Sequence, residues 1–418
     1  MASLLSPYKA VLSQPGALRF SLSALIARLP LSMIGLGIVL LVSAQKGSYA
    51  VAGVLTASYV IASAIATPIG ARYVDRWGQR RVVLIILAVH VPSLVLFVAG
   101  VVSAWPIPIL VILAGLAGAT QPASGSLVRA RWIHAMGGSD RLRTAFAWES
   151  VLDEVIFVVG PPLATILAIA VAPAAPLLTA AFLVLAGSLL LVSHRRSEPP
   201  VHVVDYRGTS AWRNPGLIAL TVIMIALGSV FGSLEIATVA VTESIGVPAS
   251  AGLILALYAG GSLVGGLLFG AWSPRSLTPY RQLLIGSGFL AVVTVPFPFV
   301  SGVVPLSVVA VLAGVAVAPV LIITNGLVST VVPAPQLTEG LAWVNTTGLG
   351  AGVALSAAAT GAIIDAFGAN AGYAVTAIAG LTTIVTGALA AGILRTRGGA
   401  GHGIPVTPDA DGLGDGPQ

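Results

Sequence analysis

Four ionisable side chains stand inside stretches that are otherwise apolar enough to cross a bilayer: Arg28, Glu149, Asp153 and Glu154. Charge at such depth is costly and marks a functional candidate. Arg28 lies nine residues beyond Arg19, or ~13 Å along a helix axis. Asp153 lies ten residues beyond Arg143, or ~15 Å along its own axis. Helices starting from one membrane face would bring the two to similar depth. Glu149 and Asp153 are four apart and share a helical face, whereas Glu154 points about 100° round. Burial and like-charge proximity raise a carboxylate's pKa, and a nearby arginine lowers it. The expected division is therefore Asp153 paired with Arg28, with Glu154 or Glu149 titrating nearer neutrality as a proton carrier must. The competing expectation is a static ion pair, with Glu149 facing Arg129 or Arg131 at the membrane edge.

The elements that would position these groups follow from composition. Of 418 residues, 57% are hydrophobic and only 8% charged, and mean hydropathy is +1.00. Such a chain is polytopic and membrane-embedded, with the lipid bilayer as its surroundings. Its net charge of +6 is then a matter of topology, not of nucleic-acid binding. There is no cysteine, the five histidines lack metal-ligand spacing, and no H-E-x-x-H or cofactor fingerprint occurs. These absences argue against an enzyme, a metal site and any cofactor beyond a proton as coupling ion.

Apolar runs of sufficient length lie near 17–43, 49–72, 82–103, 107–128, 145–170, 174–193, 215–242, 248–272, 280–301, 304–332, 338–363 and 370–394. Backbone groups in hydrocarbon must be satisfied within the segment, so the expected fold is all-α, with twelve transmembrane helices. Val42-Ser43-Ala44 has the look of a signal-peptidase site, but its apolar run is too long and carries Arg28, so it reads as a helix. Eighteen of the twenty Lys and Arg fall at the chain ends or in even-to-odd connections. That bias places both termini in the cytoplasm, in a cell (plasma) membrane protein. The polar segment 194–213 divides six spans (1–193) from six more (214–397), and a Gly/Pro/Asp-rich tail (398–418) reads as disordered. The halves repeat: Ala52-Gly53-Val54-Leu55-Thr56-Ala57-Ser58-Tyr59 matches Ala251-Gly252-Leu253-Ile254-Leu255-Ala256-Leu257-Tyr258, and Ala147-Trp148 matches Ala342-Trp343. Two six-helix bundles related by a parallel repeat read as a transporter with its site between them. Leu227, Val344 and Gly348 answer Arg28, Glu149 and Asp153, so the charge belongs to one half only.

Between spans 2 and 3 the chain reads Ala71-Arg72-Tyr73-Val74-Asp75-Arg76-Trp77-Gly78-Gln79-Arg80-Arg81. Here it resembles the major facilitator superfamily, whose loop between helices 2 and 3 carries Gly-x-x-x-Asp-Arg-x-Gly-x-Arg-Arg/Lys. The second-half copy keeps Gly270 and Arg275 but has Pro274 in place of the acid. The resemblance implies the superfamily fold over residues 15–395 and no enzymatic role. It also implies a conformational latch in which Asp75 accepts from the start of helix 11, with Arg76, Gly78, Arg80 and Arg81 completing the motif. Twelve-helix drug/proton antiporters of the family carry a Gly-Pro signature in helix 5, answered here by Gly160-Pro161-Pro162, where proline also implies a kink. Their mid-helix-4 arginine is absent; span 4 reads Gly118-Ala119-Thr120-Gln121-Pro122 instead.

Remaining polar groups at depth are candidates for a substrate cavity: Gln121, Glu235, Asn325, Asn345, Trp148 and Trp343. The tryptophans equally suit an interfacial anchor, and His90 suits bundle packing. Glu243, Glu339 and Asp365 read as surface or helix-end residues. Together these features predict a secondary transporter, monomeric, that exports a small apolar or amphipathic solute against proton influx. The alternatives are a metabolite or sugar symporter and a non-transporting receptor.

Overall fold

A computed structural model describes residues 9–136, 141–200, 214–272, 277–332, 340–341 and 343–398. Twelve helical spans among them are long and apolar enough to cross a membrane. In chain order they are α1 Ala17–Lys46, α2 Tyr49–Val74, α3 Gln79–Val102, α4 Ile107–Met136, α5 Thr144–Ala170 and α6 Ala175–Ser193. The second six are α7 Pro215–Ser244, α8 Ser250–Phe269, α9 Pro279–Phe299, α10 Val303–Val328, α11 Trp343–Phe367 and α12 Ala369–Ile393.

Local chemistry sets the joints. Gly47, at φ 63°, ends α1, and the Ser48 hydroxyl accepts from Val51 N to cap α2. Gly78, at φ 85° and ψ 154°, adopts a conformation that L side chains rarely take, which lets α3 begin one residue after the last turn of the α2 helix. Two spans are broken inside the membrane. In α1 a 3-10 turn, Leu29–Ser32, follows Arg28, where Pro30 cannot donate a backbone bond. In α4 the helix stops at Ala119 and restarts at Ser124, around Pro122. By contrast, the α5 helix runs unbroken from Arg141 to Ala170 through Pro161 and Pro162.

Packing follows the repeat. In the first half α2 lies on α4, α3 on α4 and α6, and α1 on α6; in the second α8 lies on α10, α9 on α10 and α12, and α7 on α12. A close backbone approach is also duplicated. Gly118 of α4 sits against the Tyr59 carbonyl of α2, and Gly314 of α10 against that of Tyr258 in α8, leaving no room for a methyl group at either glycine. The halves meet along three seams: α2 on α11, α5 on α8 and α7 on α1.

One boundary needs correcting. Span 4 was expected to end near 128, with Arg129 and Arg131 in a connection, but helix continues to Met136 and carries both arginines. The apolar criterion stopped at the first charge, whereas the fold pairs Arg129 with Asp153 and gives Arg131 neutral acceptors. Arg131, fully buried, donates to Gln79 Oε1 at 2.8 Å, Ser197 Oγ at 2.8 Å and the His194 carbonyl at 3.1 Å.

Candidate functional site

The break in α1 leaves Arg28 as the last residue of a helical segment, and its guanidinium spans two acids of α5. One Nη pairs with Glu149 Oε2; the other reaches Asp153 Oδ1 at 2.6 Å, while Nε donates to the Ala24 carbonyl at 3.1 Å. Glu149 is completely buried, and its second oxygen accepts from Ser21 Oγ at 2.6 Å and Trp132 Nε1 at 2.8 Å. Trp148 Nε1 in turn donates to Ser21 Oγ at 3.0 Å. Asp153 Oδ2 accepts from Arg129 Nη2 of α4 at 2.7 Å. Two arginines and two carboxylates thus form a neutral network joining α1, α4 and α5.

Its members differ in access. Arg28 is 1% exposed and Glu149 0%, while Asp153 and Arg129 keep 33% and 39% of their side-chain surface. Asp153 does pair with Arg28, as the spacing suggested. Glu149 shares that same arginine instead of facing Arg129 or Arg131. Glu154, half-buried, makes no hydrogen bond or ion pair with a described residue. Sequence reasoning offered Arg129 as a partner of Glu149, not of Asp153, and missed Ser21 and Trp132; the one legible signal was an arginine and a tryptophan three residues apart on the tail of an apolar span.

The substrate-cavity candidates do not converge on one point. Gln121, at the α4 break, accepts from the Tyr59 hydroxyl at 2.8 Å, and its buried amide nitrogen has no partner among the described residues. Asn345 donates to Asn325 Oδ1 at 2.6 Å, tying α11 to α10. Trp343 opens a π-helical turn, Trp343–Gly348, and is half-buried like Trp148. Glu235 lies at the α7–α1 seam, against Gly35. His90 is buried, with Nδ1 against the Ala117 carbonyl at 2.8 Å. Gly160 packs on Ser32 of α1, and Gly252 of α8 packs on Pro161 and Pro162, so the α5 prolines sit at a seam between the halves.

Of the proposed latch, the Asp75 side chain and residues 333–339 ahead of α11 lie outside the described residues. The rest of the motif forms a basic face: Arg81 stacks 5.7 Å from the Trp77 ring centre, and the Arg80 backbone N–H donates to Glu198 at 2.9 Å.

A cluster of hydrogen bonds between the halves, not expected from sequence, stands at the opposite face. Asp365, at the end of α11, accepts from Ser48 Oγ at 2.6 Å and from the backbone N–H groups of Tyr49 and Ala50, both at 2.9 Å. It therefore caps the N-terminus of α2 across the two halves, where a carboxylate suits the helix dipole. The Tyr49 hydroxyl also donates to Glu243 at the end of α7. Among the described residues every hydrogen bond between the halves lies at this face. The signal available in the sequence was an acid in the last turn of a helix, unfavourable there without an outside donor.

Residues 20–348 match the family profile described as Major Facilitator Superfamily. No curated protein matches the chain. Among solved structures, the chain is similar to the nucleoside transporter NupG, with a TM-score of 0.68 at 12% identity, covering 91% of this chain and 99% of that one. It is similar to the POT family transporter PepTSo, with a TM-score of 0.66 at 11% identity, covering 92% and 98%. It also resembles a bacterial homologue of the iron transporter ferroportin in its inward-facing state, with a TM-score of 0.64 at 16% identity, covering 88% and 99%. At these identities the likeness concerns the fold.

Proposed function

Because the chain belongs to the Major Facilitator Superfamily, we propose that this multi-pass membrane transporter exports a small apolar or amphipathic solute in exchange for protons, by alternating access. The observation that carries the reading is the neutral Arg28–Glu149–Asp153–Arg129 network, confined to one half and exposed only at Asp153 and Arg129. A proton arriving on Asp153 Oδ2 displaces Arg129, leaving the cluster with one uncompensated positive charge. The ion pair between α4 and α5 is then broken, and the helices can shift about the Trp132–Glu149 hydrogen bond that remains. Glu149, holding three donors, is the fixed anchor of Arg28; Asp153 is the exchangeable partner, and Glu154 beside it is a relay to water. One proton crossing ~150 mV supplies ~3.5 kcal/mol, enough for a solute gradient of roughly 300-fold in a one-to-one exchange.

On this reading the basic face is cytoplasmic, both termini lie there, the membrane is the plasma membrane, and the Asp365 clasp holds the outer side shut. The protein works as a monomer and needs no cofactor besides the proton. The test uses proteoliposomes containing a pH-sensitive dye and a solute selected by thermal-shift screening. Solute efflux should acidify the lumen, and Asp153→Asn should abolish that acidification while sparing solute-for-solute exchange. Alkalinisation with efflux would mean symport, absence of counterflow a receptor, and an unaltered Asp153→Asn a different coupling group.

A further inference from the structure

The α7 helix presents an unusual strip at the seam. Between Val230 and Thr242 every described side chain is buried except two, Phe231 and Glu235. They are four apart and so share a face. A methyl group built on Gly35 of α1 would lie 3.0 Å from Glu235 Oε1, so the carboxyl group rests directly on the other half of the molecule. It makes no hydrogen bond or ion pair with any described residue. Phe231 stands edge-on to Tyr258 of α8, ring centres 5.6 Å apart, and the buried Tyr258 hydroxyl is also without a partner among the described residues.

Other charged and titratable groups on the elements packed against α7 are engaged elsewhere or distant. Arg28 of α1 is seven residues from Gly35, ~10 Å along the axis, and holds Glu149 and Asp153. Lys46 stands eleven residues the other way, at the end of α1, ~16 Å along the axis. In α2, Tyr49 is held by Glu243 and Tyr59 by Gln121; Asp365 of α11 is held by α2, and Tyr373 of α12 bonds to Thr238. No Asp, Glu, Lys, Arg, His or Tyr occurs in α10.

We propose that Glu235, with the Phe231 ring and the Tyr258 hydroxyl, forms a recognition site for the positively charged head of an amphipathic organic cation. An ionised carboxylate without a counter-ion is costly within a membrane. It therefore stands either protonated or paired with a bound cation. Aromatic faces beside it attract a weakly hydrated cation such as a quaternary ammonium or phosphonium. Arrival of the cation breaks the Glu235 O–H bond and passes one proton to water, so charge at the site is unchanged. The inference rests on the transport reading above and adds its substrate class, together with a proton exchanged in the second half.

The test takes the full chain in lipid nanodiscs, with tetraphenylphosphonium as the probe, titrated calorimetrically in two buffers of different ionisation heat. Wild type should bind and release about one proton per cation, as one freed carboxyl group requires. Glu235→Gln should weaken binding by about tenfold or more and release none, while Glu235→Asp restores part of both. Phe231→Leu should weaken binding about threefold with proton release intact. Monodisperse size exclusion certifies each variant as folded. Wild type that does not bind the cation, or Glu235→Gln that binds and releases protons as wild type does, overturns the site. Failure here with Asp153-dependent transport of an uncharged amphipath intact removes only the cation site; cation binding with proton release but no proton-driven flux removes only the transport reading.

Discussion

The two halves of the molecule share a packing scheme and differ in what they bury. At the junction of α1, α4 and α5 the first half holds Arg28, Arg129, Glu149 and Asp153 in one ionic network. At the corresponding junction of α7, α10 and α11 the second half places Leu227, Val344 and Gly348, with an Asn345–Asn325 hydrogen bond between α11 and α10. The helices follow suit. Two of the three are broken in the first half, at Leu29–Ser32 and around Pro122, whereas α7 and α10 run through and α11 has only a π-helical turn. Architecture needs neither charge nor breaks at these places, since one half does without them. The difference assigns the switching chemistry to the first half under the proposed function and leaves the second as the stiffer body against which it rocks.

The comparison breaks most visibly at Arg28. Arg28→Met strands a fully buried carboxylate, and such a loss costs about 3–5 kcal/mol, read as a lowered melting temperature in detergent. Leu227→Met at the repeat-related site should cost under about 1.5 kcal/mol. Combining Arg28→Met with Glu149→Gln and Asp153→Asn should recover much of the lost stability without recovering transport, because no buried charge is then left unpaired and Arg129, the remaining member, keeps 39% of its side-chain surface exposed.

Shared features should respond alike. Gly118→Ala and Gly314→Ala each force a methyl group onto a facing tyrosine carbonyl, and overpacking of this kind costs about 1–3 kcal/mol in either half. A large difference between the two would mean that the repeat does not extend to its tightest contacts.

Smaller effects sharpen the account at the seam. Asp365→Asn weakens up to three bonds to α2 and should favour opening of that face by about 1–2 kcal/mol, seen as increased reactivity of a cysteine placed at Ala357, which is buried at the seam. Asn345→Ala removes one hydrogen bond between membrane helices, worth about 0.6 kcal/mol, and should barely move the melting temperature. It is the weakest of the set because nothing charged is left behind.

How much of this could be read beforehand depended on the kind of signal. Helices, their number and the repeat were legible because hydrocarbon imposes one strong rule on long apolar runs, and Tyr59 and Tyr258 fall in the very segments that match. The Arg28–Asp153 pair was legible because helix rise converts sequence distance into depth. The Arg129–Asp153 pair and the Trp132–Glu149 hydrogen bond were not: a window that scores apolarity ends where charge begins, and only the fold reveals that Asp153 balances Arg129 and that Glu149 accepts from Trp132. Asp365 was hidden for another reason. Its partners, Ser48, Tyr49 and Ala50, lie in the other half, and no local pattern encodes a cap supplied from so far along the chain.

The most direct measurement needs no knowledge of the solute. The chain has no cysteine of its own, so spin labels at Ser103→Cys and Ser301→Cys, both exposed at the face closed by Asp365, report the separation of the halves by pulsed electron resonance. Acidification should shift the distance distribution in the otherwise unchanged protein and leave it fixed when Asp153→Asn is added. An identical shift with and without Asp153→Asn, or none in either, would contradict a proton-driven switch seated in the first half.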